Sequence, residues 1–135
     1  MEIILDATNA VVGRLAVFAA KKALEGNKII ILNSEKAIIT GNPKLVLARH
    51  LQKSRLGVGV QKGPNIPKRA EMILRRIIRG MLPWKRTKGR EAYKRIKCFL
   101  GIPTKYKDKE MKKFEKPIKT KTITLERLSQ LVRQK

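Results

Sequence analysis

The chain is 135 residues long, with 33 Lys+Arg against 10 Asp+Glu and a formal charge of +23. The length suits one domain with a real core, since a chain of this size buries roughly 65–70 % of its unfolded surface. The charge excludes a compact protein that works without a polyanion, because such a domain would repel itself.

The charge is uneven. Residues 1–50 carry 7 basic and 4 acidic side chains, and residues 51–135 carry 26 and 6. Only 4 % of the chain is aromatic, at Phe18, Trp84, Tyr93, Phe99, Tyr106 and Phe114. That is thin for a protein that stacks single-stranded bases on several rings, so folded or double-stranded nucleic acid is the better match. The one cysteine, Cys98, excludes an internal disulfide and a Cys-based zinc site, and it is consistent with a reducing, cytosolic compartment. No apolar run reaches the ~20 residues of a membrane span, and the opening Met1-Glu2-Ile3-Ile4-Leu5-Asp6 lacks the basic start of a signal peptide. Adsorption of the basic half to an anionic membrane surface is the lesser alternative.

Residues 2–5 form an apolar run ending at Asp6 and are expected to be a buried strand. Val12, Leu15, Ala16, Ala19 and Ala23 then recur at helical spacing, with Gly26 where a helix would end. Lys28–Leu32 is an unalternated β-branched run, which predicts a strand covered on both faces in a parallel sheet. Together these make a βαβ unit, expected to be right-handed. Ala37-Ile38-Ile39 is a further strand candidate. Asn42 and Pro43 signal a helix over 43–54, with Leu47, Ala48 and Leu51 on one side and Arg49, His50 and Lys53 on the other. Glycines and prolines make 55–67 a loop.

The clearest amphipathic pattern follows at 68–81. Ala70, Ile73, Leu74, Ile77, Ile78 and Met81 make one face, and Lys68, Arg69, Arg75, Arg76 and Arg79 the opposite one. Gly80-Met81-Leu82-Pro83 ends it. A shorter helix is expected over 87–96 and a strand over 97–100. Residues 103–121, with eight lysines and three acids, read as an extended arm. Thr124 should cap a last short helix bearing Leu125, Leu128, Leu131 and Val132. The domain reading is a single domain: an α/β core with an RNA-binding helix and loop over 1–102, then the basic arm and terminal helix over 103–135.

The Arg stripe is the strongest functional element. Arg presents a planar fork that binds phosphate oxygens bidentately. A solvated helix face is the alternative, but such faces mix signs and only Glu71 is acidic here. Trp84-Lys85-Arg86-Thr87-Lys88-Gly89-Arg90 crowds four cations around a glycine, an arrangement that admits close approach to phosphates. Trp84 itself reads as tucked into the core. Candidate RNA-contact residues are Arg69, Arg75, Arg76, Arg79, Lys85, Arg86, Lys88 and Arg90, with Arg49, Lys53, Arg55 and Lys62 beside them. The loop 57–63 lacks Walker spacing, and Gly13 alone makes no dinucleotide fingerprint, so both read as turn or packing glycines and no nucleotide cofactor is expected. His50 has no nucleophile in reach on this reading, Cys98 reads as a small buried residue, and the carboxylates are scattered. These observations point away from catalysis, a metal site or a small-molecule substrate.

Several blocks resemble one family. Asp6-Ala7, Gly13-Arg14-Leu15-Ala16, Asn33-Ser34-Glu35-Lys36, Thr40-Gly41, Arg79-Gly80-Met81-Leu82-Pro83, the basic Lys85–Arg90 stretch and Gly101-Ile102-Pro103 occur in the order of the universal large-subunit ribosomal protein thirteen family, in its archaeal/eukaryotic form. The resemblance spans about residues 3–103. It implies a three-layer α/β/α fold around a parallel sheet of about four strands, to which the basic C-terminal extension is added. It also implies a non-catalytic structural role, bound to large-subunit rRNA and to neighbouring ribosomal proteins. The alternatives from other classes are an RNA-processing or modifying enzyme and a DNA-binding architectural protein.

Overall fold

A computed structural model describes residues 1–56, 65–114 and 117–134. Its centre is a four-stranded parallel sheet of order β4-β2-β1-β5, formed by β1 (Glu2–Asp6), β2 (Lys28–Leu32), β4 (Ile96–Cys98) and β5 (Lys112–Lys113). The Ile-rich runs form strands because their branched side chains pack on a pleated surface from both sides. Leu5, Ile29 and Ile31 enter the main core with helices α1 (Val12–Leu24), α3 (Ala70–Gly80) and α5 (Leu125–Arg133). The alternate residues Ile4, Ile30 and Leu32 point the other way and pack with Tyr106, Phe99 and Met111. The cover on that second face is a 3-10 turn, Thr104–Tyr106, and its flanking chain.

α1 lies against the sheet through Leu15, Ala16, Ala19 and Ala23, all fully buried. Small side chains let its axis approach closely, while each buried Leu or Ile contributes about 1.5–3 kcal/mol. Gly26 follows the helix C-cap at φ +100, a conformation that L side chains adopt only at a cost.

The carboxyl ends of β1 and β2 are tied by polar groups. Asp6 Oδ1 accepts from the Thr8 backbone N–H at 3.0 Å, the Thr8 hydroxyl at 2.7 Å and Asn33 Nδ2 at 3.1 Å. Burial pushes the Asp6 carboxyl up, but these bonds and nearby Lys113 outweigh it and hold the group below its usual range. Asn33 N–H in turn donates to the Gly101 carbonyl at 3.0 Å, and Gly101 N–H donates to both carboxylate oxygens of Glu35. Three of the blocks that carry the resemblance therefore meet at one end of the sheet. In open α/β sheets that end is where ligands bind; here the polar groups are spent on one another.

Several sequence expectations shift in the structure. β3 (Ile38–Thr40) forms as expected but pairs antiparallel with β6 (Thr122–Thr124), outside the main sheet. The Lys-rich stretch after Pro103 includes the 3-10 turn and β5, which pairs with β1. Helix α4 (Thr87–Lys94) ends before residue 96, and β4 starts at Ile96, because the fully buried Ile96 pairs with Ile29. Thr124 caps α5, its hydroxyl accepting from Arg127 N–H at 3.2 Å. No helix among the described residues is long and apolar enough to cross a membrane.

Candidate nucleic-acid interface

Helix α3 docks through Ala70, Ile73, Leu74 and Ile78, all buried, which leaves Arg76 exposed and Arg75 and Arg79 half-buried. Ile77 is half-buried and Met81 exposed, so the apolar stripe is narrower at its C-terminal end than periodicity alone predicts. Arg69 sits at the N-cap and pairs with the carboxylate of buried Glu71.

The Arg stripe divides. The Arg75 guanidinium lies 4.3 Å from the Tyr93 ring centre, and that of Arg79 lies 4.0 Å from Trp84. The two rings meet edge to face, 5.1 Å apart at 88°. Arg75, Tyr93, Trp84 and Arg79 thus form one stacked assembly across α3, the following turn and α4. Such stacking restricts the guanidiniums to few orientations, which lowers the entropy lost when they meet an anion. Trp84 is half-buried, not in the core as its sequence setting suggests: one face carries Arg79 and its ring abuts Tyr93.

The turn after α3 is built on close backbone contact. Arg90 Nε donates to the Trp84 carbonyl at 3.0 Å, and Arg86 N–H donates to the Pro83 carbonyl at 3.0 Å. Gly89 is buried against this turn, and a Cβ there would fall 2.1 Å from the Pro83 oxygen. The missing Cβ of this glycine is what lets α4 pack on the Pro83 carbonyl. Lys85, Arg86, Lys88 and Arg90 are all exposed around it.

The second group lies on the other flank of α3. Arg76, Arg49 and Lys53 border a cavity between α3 and helix α2 (Pro43–Arg55), with Ile39, Val46, Ile77 and Leu128 among its walls. α2 starts as expected, with Asn42 Oδ1 accepting from Lys44 N–H at 3.1 Å. Its covered side is rotated from the sequence reading: Leu47 and Leu51 are partly buried as expected, but so are Val46 and His50, and Ala48 is exposed. His50 belongs to the covered side because α3 and the Ile66-Pro67 segment pack there. Burial lowers its pKa, the Pro67 carbonyl opposes this, and Lys53 adds to the lowering. Arg55 is exposed at the far end of α2, beside Leu56 and Gln52. Lys62 and the loop 57–63 lie outside the described residues.

Sequence reasoning missed Tyr93, whose ring supports Arg75 from 18 positions away, because no local pattern links them. It also missed Lys94 and Lys97, which border a small pocket with Arg75, Glu71 and Cys98. Burial pushes the Cys98 thiol up to about 12, so its thiolate is scarce at neutral pH. Among the described residues, no three His, Cys, Asp or Glu side chains gather where they could hold a metal.

Comparison with known proteins agrees with the motif reading. Residues 1–105 match the family described as Ribosomal protein L13. The chain is 42 % identical over 130 residues to the large ribosomal subunit protein uL13 of Thermoplasma volcanium, covering 93 % of this chain and 94 % of that one. The protein of the same name from Methanocaldococcus jannaschii is 42 % identical over 129 residues, covering 93 % of each. That of Methanopyrus kandleri is 49 % identical over 100 residues, 74 % of this chain; the match spans 62 % of that relative's length, less than two thirds. Family match, relatives and motif order converge, and the chain belongs to the ribosomal protein L13 family.

Proposed function

We propose that this chain is a structural, non-catalytic constituent of the large ribosomal subunit in the cytoplasm, where it binds large-subunit rRNA and adjoins other ribosomal proteins. The observation that carries the reading is the family match over residues 1–105, whose relatives are named as large-subunit proteins. The mechanism follows from charge and placement. Arg75 and Arg79 are held on rings, and Lys85, Arg86, Lys88 and Arg90 surround a tight turn, so several cations face a polyanion from a rigid platform. Each phosphate they neutralise releases condensed counterions. Arg69, Arg76, Arg49, Lys53, Arg55 and Lys62 extend the proposed contact set.

The test is a salt titration of binding to a large-subunit rRNA fragment, with duplex DNA as a parallel arm. Replacing Arg75, Arg76 and Arg79 together with Ala should reduce the slope of log affinity against log salt by about 2–3. Loss of the two ring contacts should also lower stability by about 1–2 kcal/mol, leaving the chain folded. An unchanged slope removes the stripe from the interface. Equal affinity for duplex DNA at matched salt removes the preference for folded RNA.

A further inference from the structure

The cavity between α2 and α3 has a volume of about 300 Å³ and a mixed character. Its walls are apolar: Ile39, Val46, Pro67, Ile73, Ile77 and Leu128. Its border is cationic, with Arg49, Lys53 and Arg76, and none of its described lining residues is acidic. Inside, His50 Nε2 is buried and has no hydrogen-bond partner among the described residues. Native proteins rarely leave such an atom unmatched, because its desolvation is then uncompensated. Burial and Lys53 hold the imidazole below its usual pKa against the Pro67 carbonyl, so His50 is neutral near pH 7 and its unpartnered Nε2 can accept a hydrogen bond. Thr40 supplies the one hydroxyl of the lining.

Resting on the rRNA-binding reading above, we propose that this cavity receives one unstacked adenine of the bound RNA. A flat base fits between apolar walls, as in sites that hold extruded nucleotides. The flanking phosphates meet Arg49, Lys53 and Arg76 at the border. Adenine is the base of choice because its exocyclic amino group donates to His50 Nε2. The other three bases bring a carbonyl oxygen between apolar walls whose own donor is Thr40, the exposed cations being taken up by the flanking phosphates, and an acceptor left unpaired there is costly to bury. Arg76, which the helical step places on the other flank of α3, thereby serves a different task from Arg75 and Arg79.

The test uses four RNA hairpins of one sequence: fully paired, with a single bulged adenosine, with a bulged purine riboside lacking the amino group, and with an abasic bulge. The full-length protein should bind the adenosine bulge about tenfold more tightly than the abasic bulge, with purine riboside in between. His50→Ala should bring adenosine down to the level of purine riboside. Ile77→Trp, which fills the cavity, should bring all bulges down to the abasic level, and neither variant should change affinity for the paired hairpin. Thermal melting checks that both are folded; should Ile77→Trp fail it, His50→Ala decides. Equal affinity of the wild-type protein for adenosine and abasic bulges overturns the proposal and leaves a protein side chain as the occupant. Retention of the adenosine preference in both variants also overturns it. Failure to bind any of the four RNAs overturns the RNA-binding reading instead, and the adenine site with it.

Discussion

Gly89→Ala sets two effects of opposite sign against each other, and the structure says which wins. Gly89 is the third residue of α4, so alanine there gains up to about 1 kcal/mol of helix propensity. Its Cβ would lie 2.1 Å from the Pro83 carbonyl oxygen and 2.5 Å from the carbonyl carbon. A carbon–oxygen contact settles at about 3.3 Å or more, so the chain must move apart by over an ångström. Both atoms are backbone, and that carbonyl already accepts from Arg86 N–H. Overpacking of this kind costs about 1–3 kcal/mol, and the strained turn bond adds about 1 kcal/mol. The net expectation is destabilisation by about 1–3 kcal/mol, or a fall in Tm of roughly 4 °C per kcal/mol. Thermal unfolding followed by circular dichroism measures it. The control is Gly13→Ala in α1, where an added Cβ meets nothing within 4 Å and the same propensity gain should leave stability equal or higher. A Gly89→Ala variant as stable as wild type would refute the steric argument.

Asp6→Ala should cost about 2–4 kcal/mol at pH 7, because Thr8 and Asn33 lose a charged acceptor shared by three bonds. With the folded pKa of Asp6 lowered, its stabilisation is present above the unfolded value of about 3.9 and fades as pH falls through the folded one. Urea unfolding at pH 7 and pH 3 should therefore show wild type and variant converging in acid; a constant gap counts against the charge. His50 has the reverse chemistry: its lowered folded pKa keeps it neutral, so stability falls as pH drops below about 6.5. His50→Gln should flatten that part of the pH–stability curve, and an unchanged curve would place the titration elsewhere. Cys98 is half-buried, but its raised pKa should make it slow to react with iodoacetamide at pH 8 in the native protein and faster in denaturant; rapid native alkylation would mean that its thiolate is not suppressed.

Short-range physics made much of this chain readable. β1, α1 and β2 are legible because each sequence pattern matches its period and each element is buried as its side chains demand. The Asn42-Pro43 start of α2 and the Thr124 cap of α5 are local hydrogen-bonding decisions, and both form. The Arg flank of α3 follows from helical geometry alone. By contrast, the covered side of α2 depended on what packs beside it. With no residue of α2 fully buried, its own periodicity was weak, and the placement of α3 and Pro67 turned His50 inward.

Sequence alone therefore determined the element types from β1 to α4 and in α5, the α/β class and the presence of a cationic helix face, because propensity, period and capping act within a few residues. Tertiary structure decided the rest. It set Arg75 on Tyr93 and Arg79 on Trp84, brought Gly89 against Pro83, and paired the Lys112–Lys113 strand with β1. It also joined Asp6, Asn33 and Gly101 at one end of the sheet. These contacts join residues 5 to 107 positions apart, and only the packed chain selects among the many partners such distances allow.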